Sequence, residues 1–165
     1  MDFSAASGAI FNDDKSNRYI LWRKWDSRLP NLLFIGLNPS KADGASDDPT
    51  TLRLSAHTKR FGHGGFYLLN CFTHIATNPR NLRASGNWQV NLNYVNKIAP
   101  LCETVVFVWG KHTLVQQLGR DQYFQKRFPR AKCFGSNVDG SPKHPLYLPY
   151  KTALKDFATQ KSQFL

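Results

Sequence analysis

Acidic residues are scarce in this chain: 11 Asp+Glu stand against 22 Lys+Arg, leaving a formal net charge of +11 over 165 residues. Such a balance favours a polyanionic partner, because phosphate neutralisation supplies most sequence-independent affinity for nucleic acid. Cysteine is also sparse. Cys71, Cys102 and Cys133 are the only three, with no Cys-x-x-Cys pair and no nearby Cys/His set at zinc-ligand spacing. Neither a disulfide framework nor a metal site is expected, no cofactor is implied, and a reducing cytoplasm is the simplest compartment. No apolar run approaches the roughly 20 residues of a membrane span, and no signal peptide is read at the N terminus. Repeats, low-complexity tracts and linkers are missing too, so one domain over residues 1–165 is expected.

What the chain does contain is a globular composition, 41% hydrophobic and 13% aromatic, which excludes a disordered tail. Its most informative stretch is Asn31-Leu32-Leu33-Phe34-Ile35-Gly36-Leu37-Asn38-Pro39-Ser40. An unbroken apolar run of strand length, stopped by turn residues, predicts a strand buried on both faces, as in a parallel sheet. Ligands sit beyond the carboxyl ends of such strands. Gly36 permits close approach to the backbone, and Pro39 pushes Asn38 into an extended conformation with its amide at the crevice. The same residues are also ordinary strand-ending punctuation.

Elsewhere the patterns predict a short edge strand over Ser7 to Phe11 and an antiparallel flanking strand over Arg18 to Trp25. A helix capped by Asp48, with Pro49 at its first position, runs to about Phe61. Further strands are expected at 66–72, 104–110 and 131–135, and helices at 89–101, 112–128 (with a possible break at Gly119) and 150–158. Residues 1–30 then form a flanking strand segment, 31–150 the core, and 150–160 a terminal helix. Alternating strands and helices favour parallel pairing with right-handed crossovers. The expected architecture is α/β: a three-layer α/β/α sandwich around a short, mainly parallel central sheet.

Carboxyl ends of parallel strands share one rim, which would let Asn38, Asn70 and His144 face one pocket. Four segments then resemble motifs of the uracil-DNA glycosylase superfamily, in that family's order: Gly36-Leu37-Asn38-Pro39-Ser40, Phe66 to Asn70, Val106-Phe107-Val108-Trp109-Gly110, and His144-Pro145-Leu146. The chain is also similar to a family of uncharacterised bacterial and phage proteins sharing Gly-Leu-Asn-Pro-Ser, Asp-Asp-Pro-Thr and His-Pro-Leu-Tyr, read here as a distant branch. Departures are evident. Ser40-Lys41-Ala42 replaces the aromatic that excludes thymine in the uracil-specific branch, the penetrating loop is shortened, and iron–sulfur cysteines are missing. A wider pocket for a modified pyrimidine is implied.

The resemblance implies a monofunctional DNA glycosylase that flips a uracil-like or modified pyrimidine, including a modified phage base, and hydrolyses its glycosidic bond. Asn38 would orient the water, with Asp43, Asp47 or Asp48 as carboxylate alternatives, although Asp48 also reads as a plain helix cap. His144 would donate to the pyrimidine O2 as charge develops. Gly36, Leu37, Pro39, Ser40, Asn70 and Phe72 would bind the base, Asn70 reading its edge and Phe72 stacking on it, unless Phe72 belongs to the core. Leu146 or Tyr147 would wedge into the duplex, with Lys41, Arg53, Lys111, Lys143 and Lys151 at phosphates. The expected partner is DNA, single- or double-stranded, bound by a monomer. No lysine has a Schiff-base context, so lyase activity is not expected. Two other readings fit: a non-catalytic nucleic-acid-binding module on the same fold, or a nucleotide hydrolase or transferase.

Overall fold

The apolar run at residues 31–36 becomes the middle of the molecule because it satisfies its backbone on both sides. The computed structural model describes residues 2–158. Its seven strands are β1 (Ser7–Phe11), β2 (Arg18–Lys24), β3 (Asn31–Gly36), β4 (Gly65–Asn70), β5 (Thr104–Phe107), β6 (Lys132–Cys133) and β7 (Lys155–Asp156). They form one sheet in the order β1-β2-β4-β3-β5-β6-β7. β3 pairs in parallel with β4 and β5, and β5 with β6. The β1–β2, β2–β4 and β6–β7 pairs are antiparallel. The sheet is therefore α/β but mixed, where a mainly parallel one was expected. Antiparallel pairs enter because β2 and β7 hydrogen-bond to the flanks of the strands joined by helical crossovers.

Side-chain alternation distributes the core to two faces. Leu33 and Ile35 join one buried cluster with Tyr67, Leu69, Val95, Ile98 and Phe124. Leu32 and Phe34 join the other with Phe66, Leu68, Leu54 and Val108. Each fully buried Leu, Ile or Phe side chain contributes about 2 kcal/mol of transfer free energy. Helix α1 (Pro49–Arg60) covers the second face; α2 (Trp88–Ile98), α3 (Thr113–Gln117) and α4 (Arg120–Arg127) cover the first.

Helix boundaries follow local chemistry. Asp48 accepts the Thr51 N–H at 2.8 Å and Pro49 occupies the first turn, as the sequence predicts. Gly119, at φ +64, splits the segment 112–128 into α3 and α4. The terminal helix expected over 150–160 starts late: among the described residues only Phe157 and Ala158 are helical. Residues 150–151 turn, and Lys155 and Asp156 instead pair with the free edge of β6, with Lys132 Nζ 2.6 Å from Asp156 Oδ1. Phe157 drops into the core beside Phe107. Residues 159–160 of that expected helix lie outside the described residues. The strand expected over 104–110 stops at Phe107, although the Val108 N–H still reaches Ile35 O at 2.9 Å. Cys71 and Cys133 are buried free thiols, burial raising the pKa of both. Among the described residues, no helix is long and apolar enough to cross a membrane.

Candidate functional site

β3 and β4 run in register to their last residues, so Gly36 lies directly beside Asn70. The loop after β4 then clamps the loop after β3: Cys71 N–H donates to Gly36 O at 2.8 Å, Phe72 N–H to Leu37 O at 2.9 Å and Ala76 N–H to Pro39 O at 3.0 Å. Asn38 is fixed inside this clamp. Its Nδ2 donates to Pro39 O and Ala76 O, both at 2.8 Å. Two carbonyl acceptors on one nitrogen set the amide's orientation and leave Oδ1 as its open acceptor.

Above these strand ends lies a cavity of about 440 Å³, lined by Gly36, Leu37, Asn38, Ser40, Asp48, Asn70, Lys111, His144, Leu146 and Tyr147 among others. That volume falls in the range of small-molecule sites. Leu54, Leu68 and Val108 form an apolar wall. Asn70 is 3% exposed, and its Nδ2 has no hydrogen-bond partner among the described residues. His144 opens the 3-10 turn Pro145–Tyr147, its Nδ1 accepting the Leu146 N–H at 3.2 Å. The ring proton therefore sits on Nε2, a donor with no protein partner among the described residues. Burial lowers the His144 pKa, the nearby Asp48 charge opposing it, so the imidazole is neutral at pH 7.

Other expected site residues lie elsewhere, each for a physical reason. Pro39 is buried and does not line the cavity. Phe72 is a core aromatic on the opposite face of the sheet, with the Arg120 guanidinium 5.9 Å from its ring. Asp43 is an exposed loop residue whose Oδ1 accepts the Ala45 and Ser46 N–H groups, bonds that lower its pKa. Asp47 pairs with Arg23 at 2.7 Å, away from the cavity. Lys41, Lys143 and Lys151 are exposed and not on the lining. Arg53 is also off the lining; its Nη2 reaches Leu146 O at 3.5 Å from beneath the His-Pro turn. Tyr147, by contrast, does line the cavity and is 86% exposed.

Arg18 is the lining residue that pattern reading passes over. It is 2% exposed, and its one side-chain hydrogen bond among the described residues runs from Nη1 to Ala42 O at 2.7 Å. Pairing shifts between Ile10↔Ile20 and Phe11↔Arg18, making Tyr19 an extra residue in β2. Such a bulge re-aims a side chain, here toward the cavity. The only signal in the sequence is a cation at the head of an apolar strand. Thr50, Thr77 and Trp109 also line the cavity.

Among the described residues, no group of three or more His, Cys, Asp or Glu side chains could hold a metal ion. No curated protein and no solved structure matches the chain. A family match does exist, and it spans every cavity residue named above except Tyr147: over residues 18–146 the chain matches, and so belongs to, the family described as Protein of unknown function (DUF1643).

Proposed function

We propose that this protein is a monofunctional DNA glycosylase, a distant branch of the uracil-DNA glycosylase superfamily, that hydrolyses the N-glycosidic bond of a flipped uracil-like or modified pyrimidine. The observation that carries the reading is the meeting of Asn38, Asn70 and His144, far apart in sequence, on one cavity at the strand ends. The parallel β4–β3–β5–β6 centre, with helices on both faces, supports the glycosylase-like sandwich. The basic composition supports a DNA partner, and the cytoplasm is the compartment we assign.

Each residue has a task its geometry suits. The open Oδ1 of Asn38 accepts a hydrogen bond from water and aims its oxygen at the sugar C1′. As the bond from C1′ to the base nitrogen breaks, its electron pair leaves with the base. The neutral Nε2–H of His144 donates to the oxygen where that charge collects, a preorganised electrostatic stabilisation. Water adds to C1′, forming the C1′ hydroxyl, and the proton it loses passes through solvent to the departing base anion, which leaves as the neutral free base. An amide is a weak base, so turnover is slow. Asn70 reads the edge of the base, and Tyr147 and Leu146, at the cavity mouth, fill the gap in the duplex.

An abasic-site assay on DNA containing uracil, mismatched thymine and modified cytosines tests the proposal. Cleavage of at least one substrate, lost in Asn38→Ala and His144→Ala with DNA binding retained, supports it. Binding without cleavage on every substrate favours the non-catalytic module. Turnover of mononucleotides but not of polymers favours a nucleotide hydrolase or transferase.

A further inference from the structure

The cavity contains a buried cation without an ion-pair partner: the charges of Asp48 and Asp43 favour it from a distance, but neither carboxylate pairs with it. Arg18 is 2% exposed, its Nε has no hydrogen-bond partner, and no carboxylate lies within ion-pair distance among the described residues. Burial draws its pKa down to about 10, so the guanidinium is still charged at pH 7. A buried charge is destabilising unless it is paired, and one backbone carbonyl at 2.7 Å does not pair it. The nearest acidic lining residue, Asp48, already caps α1 through the Thr51 N–H. Among the side chains lining the cavity, the buried polar atoms without partners are Arg18 Nε and Asn70 Nδ2, and both are donors. Pro49 and Thr50, the first residues of the 12-residue helix α1, line the same cavity and bring its positive end there.

We propose that Arg18 and Asn70 form an oxyanion subsite within the cavity, so that the ligand it takes carries a carboxylate or a phosphate. The inference rests on the cavity being the ligand site of the proposed function, but not on glycosidic cleavage. Two sources share this chemistry: an acidic substituent on the base edge that Asn70 reads, or a phosphate of the nucleotide, in which case Asn70 contacts the phosphate in place of the base edge. A guanidinium recognises either through paired N–H donors. The ligand then completes the hydrogen bonding that the protein leaves open.

Calorimetric titration of the full chain with uracil, 5-carboxyuracil, uridine 5′-monophosphate and inorganic phosphate tests this. The expected result is that at least one anionic probe binds about tenfold more tightly than uracil. Preference for 5-carboxyuracil assigns the anion to the base; preference for the monophosphate or phosphate assigns it to the nucleotide. Arg18→Met, which replaces an unpaired buried charge with an apolar chain, is expected to fold and to lose the preference. Arg18→Lys keeps the charge but not the fork, and is expected to weaken it if the Met variant does not fold. Anionic probes that bind no better than uracil, or a preference unchanged in the variants, would overturn the subsite. Cleavage of uracil-containing DNA without an anion preference would sink the subsite alone. Anion binding lost with Arg18, but no cleavage of any DNA, would sink the glycosylase reading alone.

Discussion

Asn70 Oδ1 lies 2.6 Å from the point where a Cβ at Gly36 would stand. The glycine at the end of β3 is therefore a steric requirement of the asparagine at the end of β4. Gly36→Ala is expected to displace the Asn70 amide while the strands still pair, at a stability cost of about 1–3 kcal/mol. Cleavage rate is expected to fall by more than about tenfold, since a misplaced recognition group loses transition-state positioning. Single-turnover kinetics with chemical denaturation on the same variant checks both.

A carboxylate is a better base than an amide, yet the geometry argues against Asn38→Asp. The atom replacing Nδ2 would be an oxygen facing Pro39 O and Ala76 O, each now 2.8 Å away. Losing two hydrogen bonds and gaining two repulsions is expected to destabilise the fold by about 1–3 kcal/mol and to abolish activity. Urea unfolding of Asn38→Asp beside Asn38→Ala checks this, with the Asp variant expected to be the less stable.

His57 predicts the acid limb of stability. It is fully buried against Phe134, and burial, followed by the charges of Arg60 and Arg53, lowers its pKa from 6.5 to about 4. As pH falls, the unfolded chain takes up the proton before the folded one does. Stability is full above pH 6.5 and drains away between 6.5 and about 4, by up to about 1.4 kcal/mol per pH unit. His144, lowered in the same direction, adds to the loss. Urea unfolding across this range is expected to show a shallower slope for His57→Phe than for the wild type.

Tyr147 tests the wedge. Because it is 86% exposed, Tyr147→Ser is expected to leave stability within about 0.5 kcal/mol. Cleavage of duplex DNA is expected to fall, while cleavage of single strands, which need no gap filled, stays near wild type. Parallel assays on the two substrates read the difference.

Much of this was legible in the sequence because it is written in local patterns. The apolar run at 31–36, the Asp48-Pro49 cap, the break at Gly119 and the polar residues ending β3 and β4 each follow from neighbouring residues. Features that depend on pairing were not legible. Nothing local places β4 between β2 and β3, although β2 and β3 are consecutive in the chain. The extra residue at Tyr19, which turns Arg18 into the cavity, exists only in register with β1. Lys155 and Asp156 read as helix until the open edge of β6 claims them. Phe72 follows the site strand in sequence, yet its ring belongs to the far face of the sheet.

Release of a free base from DNA tests the central claim most directly. Chromatography with mass detection, applied to DNA carrying candidate pyrimidines and incubated with the full chain, is expected to find one base liberated with its sugar–phosphate backbone uncut. The same base should be undetectable with Asn38→Ala. A chain that binds those substrates but liberates no base from any of them contradicts the account.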